Sequence, residues 1–97
     1  MSRKANEQPL SEVVKDLLKA YGMEEQMNEM EIMKGWDIVM GKFVAKHTTD
    51  MWFKNKVLYI KLDSSVIKNE LQLAKTQVIE KMNDYVGKNI ITDLKIY

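Results

Sequence analysis

The sequence contains no cysteine, so it can form no disulfide, no thiolate metal site and no cysteine nucleophile. Histidine occurs once, at His47, and proline once, at Pro9. A lone histidine with no second His or Cys points to a hydrogen-bonded structural residue rather than a metal ligand. Arginine is almost missing: Arg3 is the sole one, so the basic surface is built from lysine. No apolar run approaches the roughly 18 residues that a membrane span needs. The polar start, from Met1 to Gln8, lacks the apolar core of a secretory signal. No Gly-x-x-Gly, phosphate loop, Ser/His/Asp motif or metal-ligand cluster is recognisable. These absences point to a cytoplasmic protein that is not an enzyme and needs no cofactor.

What is present fits one small globular domain. A chain of 97 residues with 45% hydrophobic and 30% charged residues can bury a single core. Residues 1–9 are expected to be a flexible tail, and residues 10–97 a single α+β domain. Charge is unevenly spread along the chain. Residues 1–33 hold four basic and seven acidic side chains, net −3, whereas residues 34–81 hold nine lysines and five acids, net +4. An acidic front and a basic middle suit a surface facing a polyanion, although an ordinary solvated surface would look the same.

Periodicity divides the domain into elements. Ser11 is a suitable N-cap, and Val13, Val14, Leu17, Leu18 and Tyr21 repeat at helical spacing before Gly22, predicting a helix over 10–21. Met30, Met33, Trp36, Met40, Phe43 and His47 form a second stripe, predicting a helix over 28–46 with a kink or short break near Gly41. Gly35 and Gly41 within that stripe either permit close helix packing or, at Gly41, mark that break. Trp36 belongs in the core, with an indole N–H that requires a partner. The methionines Met23, Met27, Met30, Met33 and Met40 are core at this spacing, or a pliable protein-binding surface.

The period then changes to two. Thr48 to Lys54 and Val57 to Leu62 alternate around Asn55-Lys56, which predicts a β-hairpin. A two-residue loop would set Lys54 against Val57, Trp52 against Tyr59 and Asp50 against Lys61 on one face. Phe53 would then oppose Leu58, and Met51 oppose Ile60, on a wholly apolar face. Asp63, Ser64 and Ser65 cap a third helix of about twenty residues, whose stripe is Ile67, Leu71, Ala74, Val78, Met82 and Tyr85 and which stops at Gly87. Ile90 to Tyr97 reads as a last strand, parallel to the second because a helix joins them. The expected order is α-α-β-β-α-β, a three-stranded mixed sheet with helices packed on one face.

The open sheet face carries the candidate site. Trp52, Tyr59 and Tyr97 are expected there together with Lys54, Lys61 and Lys95. Bases stack on aromatic rings while ammonium groups meet phosphates, so this mixture suits single-stranded nucleic acid. Lysine meets phosphate as a point charge without the planar fork that reads guanine, which predicts little sequence preference. A second basic stretch, Lys42 and Lys46, ends the second helix, where the helix dipole favours cations in any case. The same sheet face would equally serve a protein partner or a homodimer, or simply stabilise the hairpin.

The ordered motifs are also familiar. Gly35-Trp36-Asp37-Ile38-Val39-Met40-Gly41, then Ala45-Lys46-His47-Thr48, Leu58-Tyr59-Ile60, Asp63-Ser64-Ser65 and Asn69-Glu70-Leu71, closing with Asn83, Gly87 and Ile91, resemble the DciA-like family of small bacterial proteins. The resemblance covers residues 10–97. It implies a KH-like α+β domain, DNA-binding character and a part in loading the replicative helicase. Longer relatives add a tail beyond the domain. Without a Gly-x-x-Gly, the backbone clamp of true KH domains is missing.

Overall fold

The computed structural model describes residues 10–97, with side chains from Glu12 onward. The expected tail over residues 1–9 lies outside the described residues, as does the Ser11 side chain that was expected to cap the first helix. The chain forms two compact units, one ending at Met30 and one spanning Glu31–Tyr97.

In the first unit, helix α1 runs Leu10–Ala20. Gly22 ends it at φ 71°, as the glycine stop required. Gly22 N–H donates to the Lys19 carbonyl and Met23 N–H to the Leu18 carbonyl, so two otherwise orphaned carbonyls are satisfied. Helix α2, Glu24–Lys46, begins four residues earlier than its apolar stripe suggested and continues into the second unit. Glu24 and Glu25 occupy its first turn, where the dipole favours anions.

The second unit is built on a sheet ordered β1-β2-β3, with β1 Thr48–Lys54, β2 Val57–Leu62 and β3 Asp93–Ile96. Strands β1 and β2 are antiparallel in the expected register, including Trp52 opposite Tyr59 and Phe53 opposite Leu58. Asn55 and Lys56 both take positive φ, 52° and 66°, in the two-residue loop. The register shifts between Thr48 and Asp50, an irregularity that alternation alone did not signal. Strand β3 is parallel to β2, as the intervening helices dictate.

Helices cover one face of this sheet. Ile32 and Trp36 of α2, and Ile67, Leu71, Val78 and Met82 further on, cluster with Phe53, Leu58, Ile60 and Leu94 of the strands. Trp36 is fully buried. Its Nε1–H donates to Thr48 Oγ1 at 3.0 Å, and Thr48 Oγ1–H donates onward to the Val44 carbonyl at 2.8 Å. The expected indole partner is therefore the first residue of β1. The fold is α+β with a three-stranded mixed sheet, compatible with a KH-like arrangement.

Three local expectations change. Gly41, at φ 88° and ψ 167°, breaks α2, as anticipated, but the apolar stripe does not run on as expected. Val39, Met40 and Val44 pack on the core while Phe43 is left 65% exposed, so the regular stripe through Phe43 does not hold. The long third helix is two helices, α3 Ser65–Leu73 and α4 Lys75–Val86, separated at Ala74, whose φ/ψ of −102°/19° is not helical. Ser64 caps α3 by accepting from Ile67 N–H. Finally, Ile90 to Thr92 are not strand. Ile90 and Ile91 are buried, and their N–H groups donate to Asn83 Oδ1 instead of to a neighbouring strand.

Candidate nucleic-acid interface

Alternation along the three strands sets one layer of side chains away from the helices. By register this layer is a three-by-three grid. Lys54, Val57 and Asp93 form its first row, Trp52, Tyr59 and Lys95 the second, and Asp50, Lys61 and Tyr97 the third. Lys54, Lys61 and Lys95 are all exposed. Trp52 is 41% and Tyr97 51% exposed, so these rings point outward from the buried layer.

The rings are organised among themselves. Trp52 stacks on Tyr59 with centroids 5.3 Å apart and planes 5° apart, and on Tyr97 at 6.3 Å and 8°. Trp52 and Tyr97 belong to opposite edges of the sheet, so their side chains must lean together over β2. The backbone holds Tyr97 in place for this. Its N–H donates to the Ile60 carbonyl and its carbonyl accepts from Leu62 N–H, continuing the parallel ladder past the end of β3. The Lys56 carbonyl in the hairpin loop accepts from both the N–H and the hydroxyl of Thr92, tying the loop to the approach of β3.

Two carboxylates also lie on this face. Asp50 Oδ1 accepts from Met51 N–H at 2.8 Å. Asp93 Oδ1 accepts from Leu94 N–H at 2.8 Å and pairs with Lys75 Nζ at 3.2 Å. The Leu94 N–H first, and then the Lys75 ammonium, hold the Asp93 carboxyl below its ordinary range. Lys75, at the start of α4, was not legible as a neighbour of this face. Its position depends on how α4 lies over the sheet, which no local pattern encodes.

Lys42 and Lys46 are exposed on α2, where they line a shallow depression with Asp37, Ile38 and Ala45. No residue of the sheet face lines that depression, so the two basic sets are not brought into one lining. His47 is hydrogen-bonded, with Nδ1–H donating to Asp63 Oδ1 at 2.7 Å and its ring edge-on to Phe43 at 5.2 Å. Among the described residues no group of three or more His, Cys, Asp or Glu is placed to hold a metal ion. No helix among them is long and apolar enough to cross a membrane.

The family model described as "Dna[CI] antecedent, DciA" matches residues 9–96. The chain belongs to the DciA family. Relatives include UPF0232 proteins of Mycolicibacterium, Mycobacterium and Corynebacterium species. One from Mycolicibacterium paratuberculosis is 28% identical over 89 residues, covering 92% of this chain and 49% of the relative. One from Mycobacterium leprae is 30% identical over 89 residues, covering 92% and 47%. One from Corynebacterium glutamicum is 32% identical over 66 residues, covering 68% and 37%. This DciA-family chain thus spans about half the length, or less, of these relatives. No solved structure matches it.

Proposed function

We propose that this DciA-family chain is a non-catalytic, DNA-binding module of the cytoplasm that assists the bacterial replicative helicase. It takes single-stranded DNA in preference to duplex and shows little sequence preference. The observation that carries this reading is the parallel set of Trp52, Tyr59 and Tyr97 on an open sheet face that also bears Lys54, Lys61 and Lys95. Rings already held parallel pay little further ordering cost when a base is added to the stack. Lysines give affinity to any phosphate backbone without reading bases. Family membership supports the link to helicase loading.

Anisotropy of a labelled single-stranded oligonucleotide tests the reading. If all three lysines neutralise phosphates, the log–log salt slope is about −2. Trp52→Ala should cost about 1–3 kcal/mol of binding, and Lys54→Ala should flatten the slope by about 0.7. Binding indifferent to salt and to both substitutions would overturn it.

A second reading, a protein-partner or homodimer module, rests on α1 and the turn that follows it. Val13, Leu17, Tyr21 and Met23 are exposed there, and Val14, Leu17, Leu18, Tyr21 and Met23 line an apolar groove. A dimer in sedimentation equilibrium that is lost in Leu17→Asp, with no oligonucleotide binding, would favour it.

A further inference from the structure

The two carboxylates of the sheet face occupy opposite corners of the grid. Asp50 closes the β1 side of the third row, and Asp93 closes the β3 side of the first. The other two corners are Lys54 and Tyr97, and the diagonal between them passes Tyr59, with Lys95 on one side and Lys61 on the other. Strands lie about 4.8 Å apart and residues about 3.3 Å apart along each strand. On that spacing each carboxylate stands about 8 Å from the diagonal. We infer that Asp50 and Asp93 are specificity-determining residues of this face, confining a bound anionic strand to the Lys54-to-Tyr97 diagonal and weighing against a duplex. The inference rests on the nucleic-acid reading above.

The physical reason is the second phosphate row. A single strand following the diagonal keeps its charges near lysines and away from both carboxylates. A duplex brings a second row, separated from the first by about 6 Å across the minor groove or about 12 Å across the major groove. Laid on so small a face, that row passes over one carboxylate corner. In water, a charge about 4–5 Å from a carboxylate binds roughly fivefold more weakly, against about twofold at 8 Å. Both acids are held in place by the backbone, Asp50 by Met51 N–H and Asp93 by Leu94 N–H. The Lys75 ammonium 3.2 Å from Asp93 offsets part of that corner's charge, so Asp50 is the stronger barrier.

The test measures anisotropy of a labelled thymidine single strand and of a labelled duplex of equal length, at low salt, on the full chain. The variants are Asp50→Asn, Asp93→Asn and the pair. Asparagine keeps a side-chain oxygen for the Met51 or Leu94 N–H, and thermal melting checks that each variant is folded. Glu80→Gln, an exposed residue of α4, controls for the same change in net charge. Expected is a gain of about fivefold for duplex and about twofold or less for single strand in Asp50→Asn, so that the single-strand preference falls two- to threefold. Glu80→Gln should leave that preference unchanged. A preference unaltered by Asp50→Asn and by the double variant, or altered equally by Glu80→Gln, overturns the inference and leaves the nucleic-acid reading standing. A wild-type chain that binds neither oligonucleotide overturns both.

Discussion

The ring of Tyr85 occupies the space where a side chain at position 35 would begin. A Cβ on Gly35 would come within 2.7 Å of Tyr85 Cδ2 and 2.8 Å of Cε2. Helix α2 and helix α4 therefore approach closely because one of them lacks a side chain at this point. Gly35→Ala should destabilise the fold by about 1–2 kcal/mol, the lower part of the range for overpacking, because the half-open ring can partly yield. In a Tyr85→Ala background the same change should be neutral or stabilising, since alanine is about 1 kcal/mol better than glycine in a helix. A double-mutant cycle by urea unfolding reads the coupling. Gly41 differs: a Cβ there meets nothing within 4 Å, but its φ of 88° and ψ of 167° fall in a region held essentially by glycine. Gly41→Ala should cost about 1–3 kcal/mol whether or not Tyr85 is present.

Asn83 is the buried polar hub of the second unit. Its Oδ1 accepts from Ile90 N–H at 3.0 Å and Ile91 N–H at 2.8 Å, and its Nδ2–H donates to the Ile91 carbonyl at 3.0 Å. Its own carbonyl also accepts from the N–H groups of Gly87 and Lys88. Asn83→Ala leaves the buried Ile91 N–H without its acceptor and the Ile90 N–H with only the Lys88 carbonyl, and should cost about 1–3 kcal/mol. Asn83→Asp keeps an acceptor but loses the donor and buries a charge, so it should not rescue stability at neutral pH. Chemical denaturation midpoints measure both.

Lys56 holds a positive φ of 66° in the hairpin loop, a position that glycine fills more cheaply in a turn of this kind. Lys56→Gly should raise stability by about 0.5–1 kcal/mol, provided the main chain keeps accepting from Thr92. A thermal melt should show a rise in midpoint. A fall would mean that the lysine side chain makes a contribution that the backbone geometry does not reveal.

Asp93 ties acid stability to the edge of the sheet. Its carboxyl is held below the ordinary range by the Leu94 N–H and then by Lys75, so the folded state prefers it ionised. The stabilisation is present above the unfolded-state value, about 3.9, and is lost as pH falls through the lower folded-state value. Urea midpoints of the wild-type chain should therefore decline below about pH 4 more steeply than those of Asp93→Asn. At neutral pH the variant should be the less stable of the two. Because the carboxylate is exposed, the difference should also shrink with added salt.

From Asp50 to Lys61 the hairpin was legible in the sequence down to its register, because everything that sets it there is local. Period-two alternation, a two-residue loop and one apolar face admit a single pairing, since a one-residue slip would turn every side chain over. The outward positions of Trp52 and Tyr59 follow from that pairing, as does the burial of Phe53 and Leu58. Trp36 was equally plain, because a large ring in an amphipathic stripe has nowhere else to go.

What only the tertiary structure decided lies where distant segments meet. The stack of Tyr97 on Trp52 depends on a strand that arrives after two helices; its parallel direction was expected, but the register that sets Tyr97 beside Trp52 carries no local signature. The break at Ala74 sits in a run that periodicity read as one helix, and Phe43, two residues past the Gly41 break, is exposed where the stripe had set it inward. Ile90 and Ile91 alternate too little to reveal that a buried amide on α4, not a neighbouring strand, would satisfy their backbone. Short-range patterns encode which face of an element is apolar, whereas the partner of that face is chosen by the packing of the whole core.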